Sequence, residues 1–514
     1  MIRLMSPLIA LTLVALPARG QSKFPFHEPV SPPRAVQVMV HRGMAMLAPE
    51  NSVRAVRACA DDYLEWAEID VRLSSDGRHV VIHDDALGRC TNGTGRVSSL
   101  TLSELLKLDA GSKHARRFND VRLAALSEML EAAKGRVNLC IDCKEVDHAL
   151  LCREIINSGM GSQVVVYDSP GNLRKIRSIS GSAIATMVKY RPVEDLAGFI
   201  ATTDPSVVEI DADDVTSGLC AAFHSRGIKV QAKVLGAKWD NKATWARVID
   251  SGADWLQTDD PAGVRFLDAR RRIGKFPVMI AMHRGASRYA PENTIAAIDT
   301  AAGLGADYIE IDIRTTRDGR HMLLHDSQLS RTTTGMGAIS DAEWDDVRRL
   351  SAGDWFGSRF TGQKVPSLTE GLDALGTSSA YLDAKAIAPG DLAKAIRQAN
   401  LLDRHVVYQS VDYGKKLLEI EPRARMLPPM SKLAELESVA AIKPYGVDAR
   451  WNALSKEFID ACHARGIRVF SDALGFNETI GQYRQKISWG IDCIQTDYPL
   501  RLLRAIELNA GKAD

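Results

Sequence analysis

The chain lacks a large net charge of either sign, because 65 lysines and arginines stand against 64 aspartates and glutamates and leave a formal charge of only +1. Without a strong overall field, the protein is not expected to bind nucleic acid or an anionic membrane surface through bulk charge. It also lacks the GxGxxG and GxxxxGK[ST] motifs that bind dinucleotides and nucleoside triphosphates. Any anionic ligand must therefore be bound by a local site of another kind.

Long apolar runs are missing after the first 20 residues, so no later segment is expected to span a bilayer. Residues 1–20 carry Arg3, an apolar run from Leu8 to Leu16 and the small-residue pattern Ala18-Arg19-Gly20. This pattern is typical of a cleavable secretory signal and predicts a mature chain that starts at Gln21 and is exported, to the periplasm or the extracellular space. The alternative, an uncleaved membrane anchor, is disfavoured because the run has about half of the roughly 20 residues that a span needs.

Aromatic residues make up only 6% of the 514 positions, whereas hydrophobic residues reach 45% and charged residues 25%, which is the average for globular proteins. This composition excludes the disordered, collagen-like and polytopic membrane classes. The roughly 490 residues after the leader are too many for one hydrophobic core and match two domains of about 250 residues each.

The eight cysteines are spread unevenly, with only Cys462 and Cys493 in the second half, which is not the arrangement of a small disulfide-stapled scaffold. Cys140 and Cys143 have the spacing of a redox or zinc motif. They lie, however, in the strand-like run VNLCIDCK, where residues three apart point to opposite faces. We therefore predict buried free thiols rather than disulfides.

The sequence repeats itself with an offset of about 240 residues, which is too long for a solenoid and indicates a tandem duplication of a whole domain. The repeated motifs occur in the same order in both copies. They are His41-Arg42-Gly43 and His283-Arg284-Gly285, Pro49-Glu50-Asn51 and Pro291-Glu292-Asn293, Glu68-Ile69-Asp70 and Glu310-Ile311-Asp312, His83-Asp84 and His325-Asp326, Asp142-x-Lys144 and Asp383-x-Lys385, and Thr258-Asp259 and Thr496-Asp497.

Within each copy, short β-rich runs alternate with amphipathic helical stretches. Eight runs are found in the first copy: VQVMV, AEIDVRL, HVVIH, VNLCID, VVVYD, VVEIDA, IKVQAKV and DWLQTD. This count predicts an α/β protein with two tandem (β/α)8 (TIM) barrels, over residues 35–268 and 277–508, rather than a doubly wound open sheet. Residues 24–33 are predicted to be an extended lead-in and residues 270–275 a linker.

The repeated polar residues fall near the ends of the predicted strands. Residues two apart share a face of a strand, so Glu68 and Asp70 point the same way, and so do Asp142 and Lys144. His41 ends the first run and His83 the third. A barrel brings such residues together at the carboxyl ends of its strands, where this fold does its chemistry.

Three converging carboxylates would repel one another unless a cation lies between them. Oxygen ligands alone, from Glu68, Asp70 and Asp142, favour Mg²⁺ or Ca²⁺ over zinc. The neighbouring Arg42 and Lys144 add the fixed positive charge that a phosphodiester requires. The two imidazoles can take a proton from a nucleophile and give one to a leaving alkoxide. The set predicts a phosphodiester-cleaving site.

The motifs HRG, PEN[ST], E-I-D-[VI]-R, [ST]-x-D-G-R, IHDD or LHDS, and QTD-x-P resemble those of the glycerophosphodiester phosphodiesterases, twice over. The resemblance implies TIM barrels of the phospholipase-C-like phosphodiesterase type and a divalent metal, Ca²⁺ or Mg²⁺. It implies the hydrolysis of a small-molecule glycerophosphodiester to glycerol 3-phosphate and an alcohol. By position it implies catalytic roles for His41, His83, His283 and His325, metal ligation by Glu68, Asp70, Asp142, Glu310, Asp312 and Asp383, phosphate binding by Arg42, Lys144, Arg284 and Lys385, and a further site role for Glu50 and Glu292.

The chain departs from the family pattern in three ways. Asp142 and Asp383 stand where the family usually has glutamate, and Gln231-Ala232 and Phe470-Ser471 stand in place of Trp-Thr on the seventh strand. The run RLAALSE of the first copy lacks the proline of VPSLTE. Two alternatives stay open: a phosphodiesterase acting on lysophospholipid or an inositol lipid, and a chain in which one copy is a binding or structural module, with the first copy the weaker candidate for activity.

Overall fold

A computed structural model describes residues 22–511 of the chain. The predicted signal, residues 1–20, lies outside this range, so cleavage and export stay predictions. Over the described range, no helix has both the length and the apolar character that crossing a membrane demands.

The first copy forms a closed parallel barrel between residues 37 and 258. Its strands are β1 (Gln37–Val40), β2 (Trp66–Leu73), β3 (His79–Val81), β4 (Ala124–Ala125), β5 (Asn138–Cys143), β6 (Val164–Tyr167), β7 (Ala185–Lys189), β8 (Val207–Asp211), β9 (Lys229–Lys233) and β10 (Trp255–Thr258). Its helices are α1 (Val53–Asp61), α2 (Leu102–Leu105), α3 (Leu126–Ala133), α4 (His148–Ser158), α5 (Pro170–Ser180), α6 (Leu196–Thr203), α7 (Ser217–His224), α8 (Lys242–Asp250) and α9 (Pro261–Ile273). The barrel closes because β1 pairs in parallel with both β2 and β10.

One predicted barrel strand is wrong. The run HVVIH contributes β3, which pairs antiparallel with β2 in the register Val71 to Val81 and lies outside the barrel. Only the short turn around Gly77 separates β2 from β3, whereas a parallel return needs a crossover of a dozen or more residues. The eighth strand of the barrel is instead β7, which was not among the predicted runs and which pairs in parallel with β6 and β8.

The second copy repeats this architecture between residues 279 and 496. Its strands are β11 (Met279–Met282), β12 (Tyr308–Thr315), β13 (His321–Leu323), β14 (Ser379–Asp383), β15 (His405–Tyr408), β16 (Met426–Leu427), β17 (Pro429–Met430), β18 (Gly446–Ala449), β19 (Arg468–Asp472) and β20 (Cys493–Thr496). Its helices are α10 (Ile295–Leu304), α11 (Trp344–Arg349), α12 (Leu368–Ala374), α13 (Pro389–Gln398), α14 (Val411–Ile420), α15 (Leu436–Ala440), α16 (Lys456–His463), α17 (Ile480–Trp489) and α18 (Pro499–Ala510). Proline at 428 and 429 divides one barrel strand into β16 and β17, because proline has no N–H for the ladder.

The lead-in closes the amino-terminal end of the first barrel. Phe26 packs edge-on against Trp66 and Trp255, the first residues of β2 and β10, with ring centroids 5.6 and 5.2 Å away. The tryptophans and their neighbours form an apolar plug at this end. The opposite end, where the strands finish, is left for polar side chains.

The two barrels share a buried ionic contact. Arg34 of the lead-in donates to Glu65 of the first copy, with an N···O distance of 2.6 Å, and to Glu507 in α18, at 2.9 Å. Arg272 in α9 also reaches Glu507, at 2.7 Å. Helix α9 runs through to Ile273, so much of the stretch 270–275 is helix rather than the predicted linker. The domain bounds 35–268 and 277–508 stay predictions.

No cysteine within residues 22–511 forms a disulfide. Six cysteines are buried, and Cys90 and Cys143 are partly exposed. The prediction that the cysteines are not bridged is confirmed, and the predicted burial holds for six of the eight.

Candidate active site

The predicted metal ligands of the first copy meet at the carboxyl ends of β2 and β5. These strands are neighbours in the barrel, and Asp70 lies directly opposite Asp142 in their register. One oxygen each from Glu68, Asp70 and Asp142 lies within 4.8 Å of the others. Glu310, Asp312 and Asp383 form the same cluster in the second copy, and we call each set a carboxylate triad.

The triads carry a surplus of negative charge in a buried place. Burial, with repulsion from Asp70 and Asp142, raises the pKa of Glu68 well above its ordinary value. Lys144 offsets part of this charge, since its Nζ lies 2.7 Å from Asp142 and 3.1 Å from Asp70. One ammonium does not balance three carboxylates, so the donor set fits a hard divalent cation bound through oxygen. Lys385 stands in the same relation to the second triad, 2.6 Å from Asp383 and 3.2 Å from Asp312.

The loop after β1 is held against the triad by its backbone. The N–H of Arg42 donates to Glu68 Oε2 over 2.7 Å, and Arg42 has a left-handed backbone with a φ of 56°. The following Gly43 has a φ of 73°, and a Cβ there would lie 2.9 Å from the Cβ of Ala55. This tight passage brings the Arg42 backbone to the triad, as the same HRG sequence does for Arg284 and Glu310.

Asn51 orients the central carboxylate of the triad. Its side-chain amide donates to Asp70 Oδ2 over 2.7 Å and accepts from the Asp70 backbone N–H over 2.9 Å. Asn293 holds Asp312 in the same way. The sequence analysis gave these asparagines no role, although their repetition in PENS and PENT was a usable signal.

Nδ1 of each predicted catalytic histidine lies within hydrogen-bonding distance of an aspartate carboxylate. His41 Nδ1 lies 2.9 Å from Asp259 Oδ1, and His83 Nδ1 lies 2.6 Å from Asp84 Oδ1. A carboxylate at Nδ1 fixes the ring and its tautomer and leaves Nε2 facing away. Within residues 22–511, neither Nε2 has a hydrogen-bond partner. His283 with Asp497 (2.8 Å) and His325 with Asp326 (2.6 Å) repeat the arrangement.

Glu50 connects the two sides of the site through arginines. It accepts from Arg42 over 3.1 Å and from both terminal nitrogens of Arg89 over 2.8 and 2.7 Å. Arg89 also pairs with Asp84, the partner of His83. Burial raises the pKa of Asp84, but Arg89 and His83 outweigh it and bring the pKa down to about 2. Arg89 and its counterpart Arg331, which sequence reasoning missed, therefore link Glu50 and Glu292 to the second histidine of each copy.

All but one of the predicted site residues of the second copy line a cavity of about 210 Å³. It contains the triad, both histidines, Arg284 and Lys385, whereas Glu292 stands in an adjoining cavity. The first copy makes the same side-chain pairings. The structure thus brings the predicted residues together in both barrels.

We call the opening of each barrel at the carboxyl ends of its strands its mouth. The two mouths differ in charge at the end of the seventh barrel strand. Lys233 ends β9, opposite Gln257, while Asp472 occupies the same place in β19, opposite Gln495. Burial, followed by repulsion from Asp448, raises the pKa of Asp472 well above its usual range. The preceding residues Gln231 and Phe470, which depart from the family pattern, are fully buried inside the barrels. At this position the second barrel therefore has a carboxyl group where the first has an ammonium group.

A closed parallel barrel with acids and oriented imidazoles at the carboxyl ends of its strands defines an enzyme of the TIM-barrel class. A sequence profile of the glycerophosphoryl diester phosphodiesterase family matches residues 41–263 and 283–386. The chain belongs to this family of enzymes.

Individual relatives match about one copy each. The glycerophosphodiester phosphodiesterase of Caldanaerobacter subterraneus subsp. tengcongensis is 29% identical over 245 residues, which are 44% of this chain and 97% of the relative. That of Bacillus subtilis is 31% identical over 251 residues, or 43% of this chain and 84% of the relative. A crystal structure of a glycerophosphodiester phosphodiesterase from Agrobacterium tumefaciens, 30% identical, covers 44% of this chain and 99% of its own, with a TM-score of 0.40.

Proposed function

We propose that the protein hydrolyses glycerophosphodiesters to glycerol 3-phosphate and an alcohol, with a divalent-metal-dependent site in each barrel. The observation that carries this proposal is a buried carboxylate triad beside two aspartate-bound imidazoles, found twice in one chain. The substrate class is supported by the relatives, which are glycerophosphodiester phosphodiesterases.

The cation is proposed to be Ca²⁺ or Mg²⁺, because the triads offer carboxylate oxygens alone. Glu68, Asp70 and Asp142 would hold it in the first barrel, and Glu310, Asp312 and Asp383 in the second. A bound divalent cation supplies polarisation of the phosphoryl oxygens and neutralisation of the charge that develops on them.

The side chains around the triad divide the remaining tasks. Arg42 and Lys144 bind the phosphodiester oxygens. One Nε2 of the pair His41 and His83 takes a proton from the attacking water or from the neighbouring glycerol hydroxyl. The other Nε2 gives a proton to the alkoxide as its bond to phosphorus breaks. Asp259 and Asp84 keep both rings turned so that Nε2 faces the reacting atoms.

Both barrels are proposed to be active, because each has the complete set of pairings. If one copy were only a binding module, replacing the histidines of that copy would leave the hydrolytic activity of the chain unchanged. Exposed apolar side chains in loops would favour the lysophospholipid or inositol-lipid alternative, and the described residues include Val193 after β7, Met336 after β13 and Phe476 after β19. Each is a single apolar side chain in a different loop and offers little area for an acyl chain, so the small-molecule diester is preferred.

The test is the release of glycerol 3-phosphate from glycerophosphocholine and glycerophosphoglycerol by the full chain. We expect His41→Ala and His283→Ala each to leave the activity of the other barrel, and the double variant to lose activity altogether. Chelation of divalent cations should have the same effect as the double substitution. Release that persists in the double variant would refute the site assignment.

Export is proposed on the basis of the pattern in residues 1–20. Mass spectrometry of the protein recovered from outside the cytoplasmic membrane is expected to give Gln21 as the first residue. A cell-associated protein that retains Met1 would contradict this.

A further inference from the structure

A cavity of about 680 Å³ lies between the two barrels and borders the second active site. On one side it is lined by His283, Arg284 and Asp497 of the second mouth. On the other side it is lined by side chains of the first copy, among them three arginines: Arg54, Arg57 and Arg117. His283 and Arg284 also line the triad cavity, so the two spaces share a wall. Its volume is typical of a site for a small organic ligand.

Helix α1 is fixed at this place by contacts with the second barrel. Arg288 makes a double hydrogen bond to Asp62, the residue that caps α1, with both Oδ atoms within 2.9 Å of its Nη2. Arg501 donates to the Asp61 carbonyl over 3.1 Å. The guanidinium of Arg117 lies 4.5 Å from the ring centre of Phe356 across the interface. The arginines of the first copy therefore face the second mouth in a defined position.

The acids of the cavity are already paired. Asp61 binds Arg136, Glu292 binds Arg284 and Arg331, and Asp497 binds His283. Arg57 and Arg117, by contrast, have no carboxylate within ion-pair distance in the part of the chain that the structure describes. The wall built by the first copy therefore carries two guanidiniums, of Arg57 and Arg117, that no carboxylate within residues 22–511 pairs with.

The arginines of α1 are a property of this helix and not of the repeated fold. Helix α10 occupies the equivalent place in the second copy, and it has Ala296 and Asp299 where α1 has Arg54 and Arg57. The exposed Arg54 and Arg57 of α1 thus have no counterpart in α10, whereas Arg117 corresponds to Arg359 in the second copy. A charged surface that served only solubility would not need this asymmetry.

We propose that the first barrel completes the substrate site of the second, with Arg57 and Arg117 binding a phosphate on the alcohol part of the glycerophosphodiester. Arginine suits this task because its planar donors match phosphate oxygens. The aromatic rings of Phe118, Phe356 and Tyr498 line the same cavity and would cover the carbon skeleton between the two phosphates. This inference rests on the proposed function of the second barrel.

The test uses the full chain with His41→Ala, so that only the second barrel turns over. Two substrates are compared, glycerophosphoinositol and glycerophosphoinositol 4-phosphate, which differ by one phosphate. Arg57→Ala and Arg117→Ala are each expected to lower kcat/KM for the phosphorylated substrate about tenfold or more, mainly through KM, and to change that for the other less than twofold. Arg116→Ala, which removes an exposed arginine outside the cavity, is the matched control and should change neither.

A second measurement keeps the test decisive if Arg117→Ala disturbs the interface. The preference in kcat/KM for glycerophosphoinositol 4-phosphate over glycerophosphoinositol should fall in Arg57→Ala and recover in part in Arg57→Lys. Equal losses on both substrates, or unchanged values in both variants, would overturn the inference. Failure of the parent protein to release glycerol 3-phosphate from either substrate would instead overturn the proposed function.

Discussion

Nδ1 of His41 lies 2.9 Å from Oδ1 of Asp259, although 218 positions separate them in the chain. The pairing exists because β1 and β10 are neighbours where the barrel closes, and both residues follow directly on these strands. Closure of the barrel therefore assembles a histidine–aspartate pair from the two ends of one copy. In the proposed function, this aspartate determines which ring nitrogen faces the substrate.

Asp259→Asn should lower turnover by the first barrel without removing its histidine. An amide cannot hold the ring as a carboxylate does, so we expect kcat to fall about tenfold to a hundredfold, less than the ~10²- to 10⁴-fold expected for loss of the imidazole itself. The measurement is glycerol 3-phosphate release in a His283→Ala background. Asp412→Asn, at an exposed site on α14, is the control and should have no effect. An unchanged kcat would show that Asp259 does not act through His41.

Divalent cations should stabilise the protein through the triads. A ligand that binds only the folded state at a hundred times its Kd adds about 2.7 kcal/mol to the free energy of unfolding. Ca²⁺ or Mg²⁺ should therefore raise the melting temperature of chelator-treated protein, and the double variant Glu68→Gln with Glu310→Gln should lose most of this increase. Glu437→Gln, at an exposed position far from the triads in sequence, should keep it. A full thermal shift in the double variant would show that the cation binds elsewhere.

Much of the fold and the triads could be predicted from the sequence, because short β-rich runs alternate with helical stretches along the chain and each polar motif occurs twice. The error at β3 arose because a short buried run such as HVV has the same pattern in a hairpin as in a barrel strand. The five-residue spacing between Leu73 and His79 was the signal that should have excluded a parallel return.

The partners of the histidines and the wall of the inter-barrel cavity could not be predicted in this way. Asp259 was visible as a repeated residue, but its contact with His41 depends on closure of the barrel. The position of Arg57 beside the second mouth depends on how two domains pack, and no local periodicity records such packing. These contacts follow from long-range structure alone.

Asp62→Ala should weaken the contact between the barrels. The Asp62 carboxylate is fully buried and accepts hydrogen bonds from Nε and Nη2 of Arg288. Its removal therefore leaves a largely buried guanidinium without its anion. Removal of one partner of a buried ion pair typically lowers the free energy of unfolding by about 3–5 kcal/mol. We expect a lower melting temperature, and partial recovery when Arg288→Met is combined with Asp62→Leu. Asp120→Ala, which removes an exposed partner of Arg54, should change the melting temperature little. A small effect of Asp62→Ala would show that the interface does not depend on this pair.

His114 should make the stability of the inter-barrel contact depend on pH. Burial, together with the nearby guanidiniums of Arg359 and Arg117, lowers the pKa of His114 from 6.5 to about 4. Between these two pH values the unfolded chain binds more protons than the folded one. The contribution of His114 to the free energy of unfolding is therefore fully present above pH 6.5 and is lost as the pH is lowered toward 4. Because the side chain is partly exposed, we expect a loss of about 1–2 kcal/mol rather than the full value of the shift. Denaturant unfolding at pH 7.5 and 4.5 should show this difference in the parent protein and in Asn119→Ala, an exposed change in the same loop, but not in His114→Gln. An equal loss in His114→Gln would assign the pH dependence to other groups.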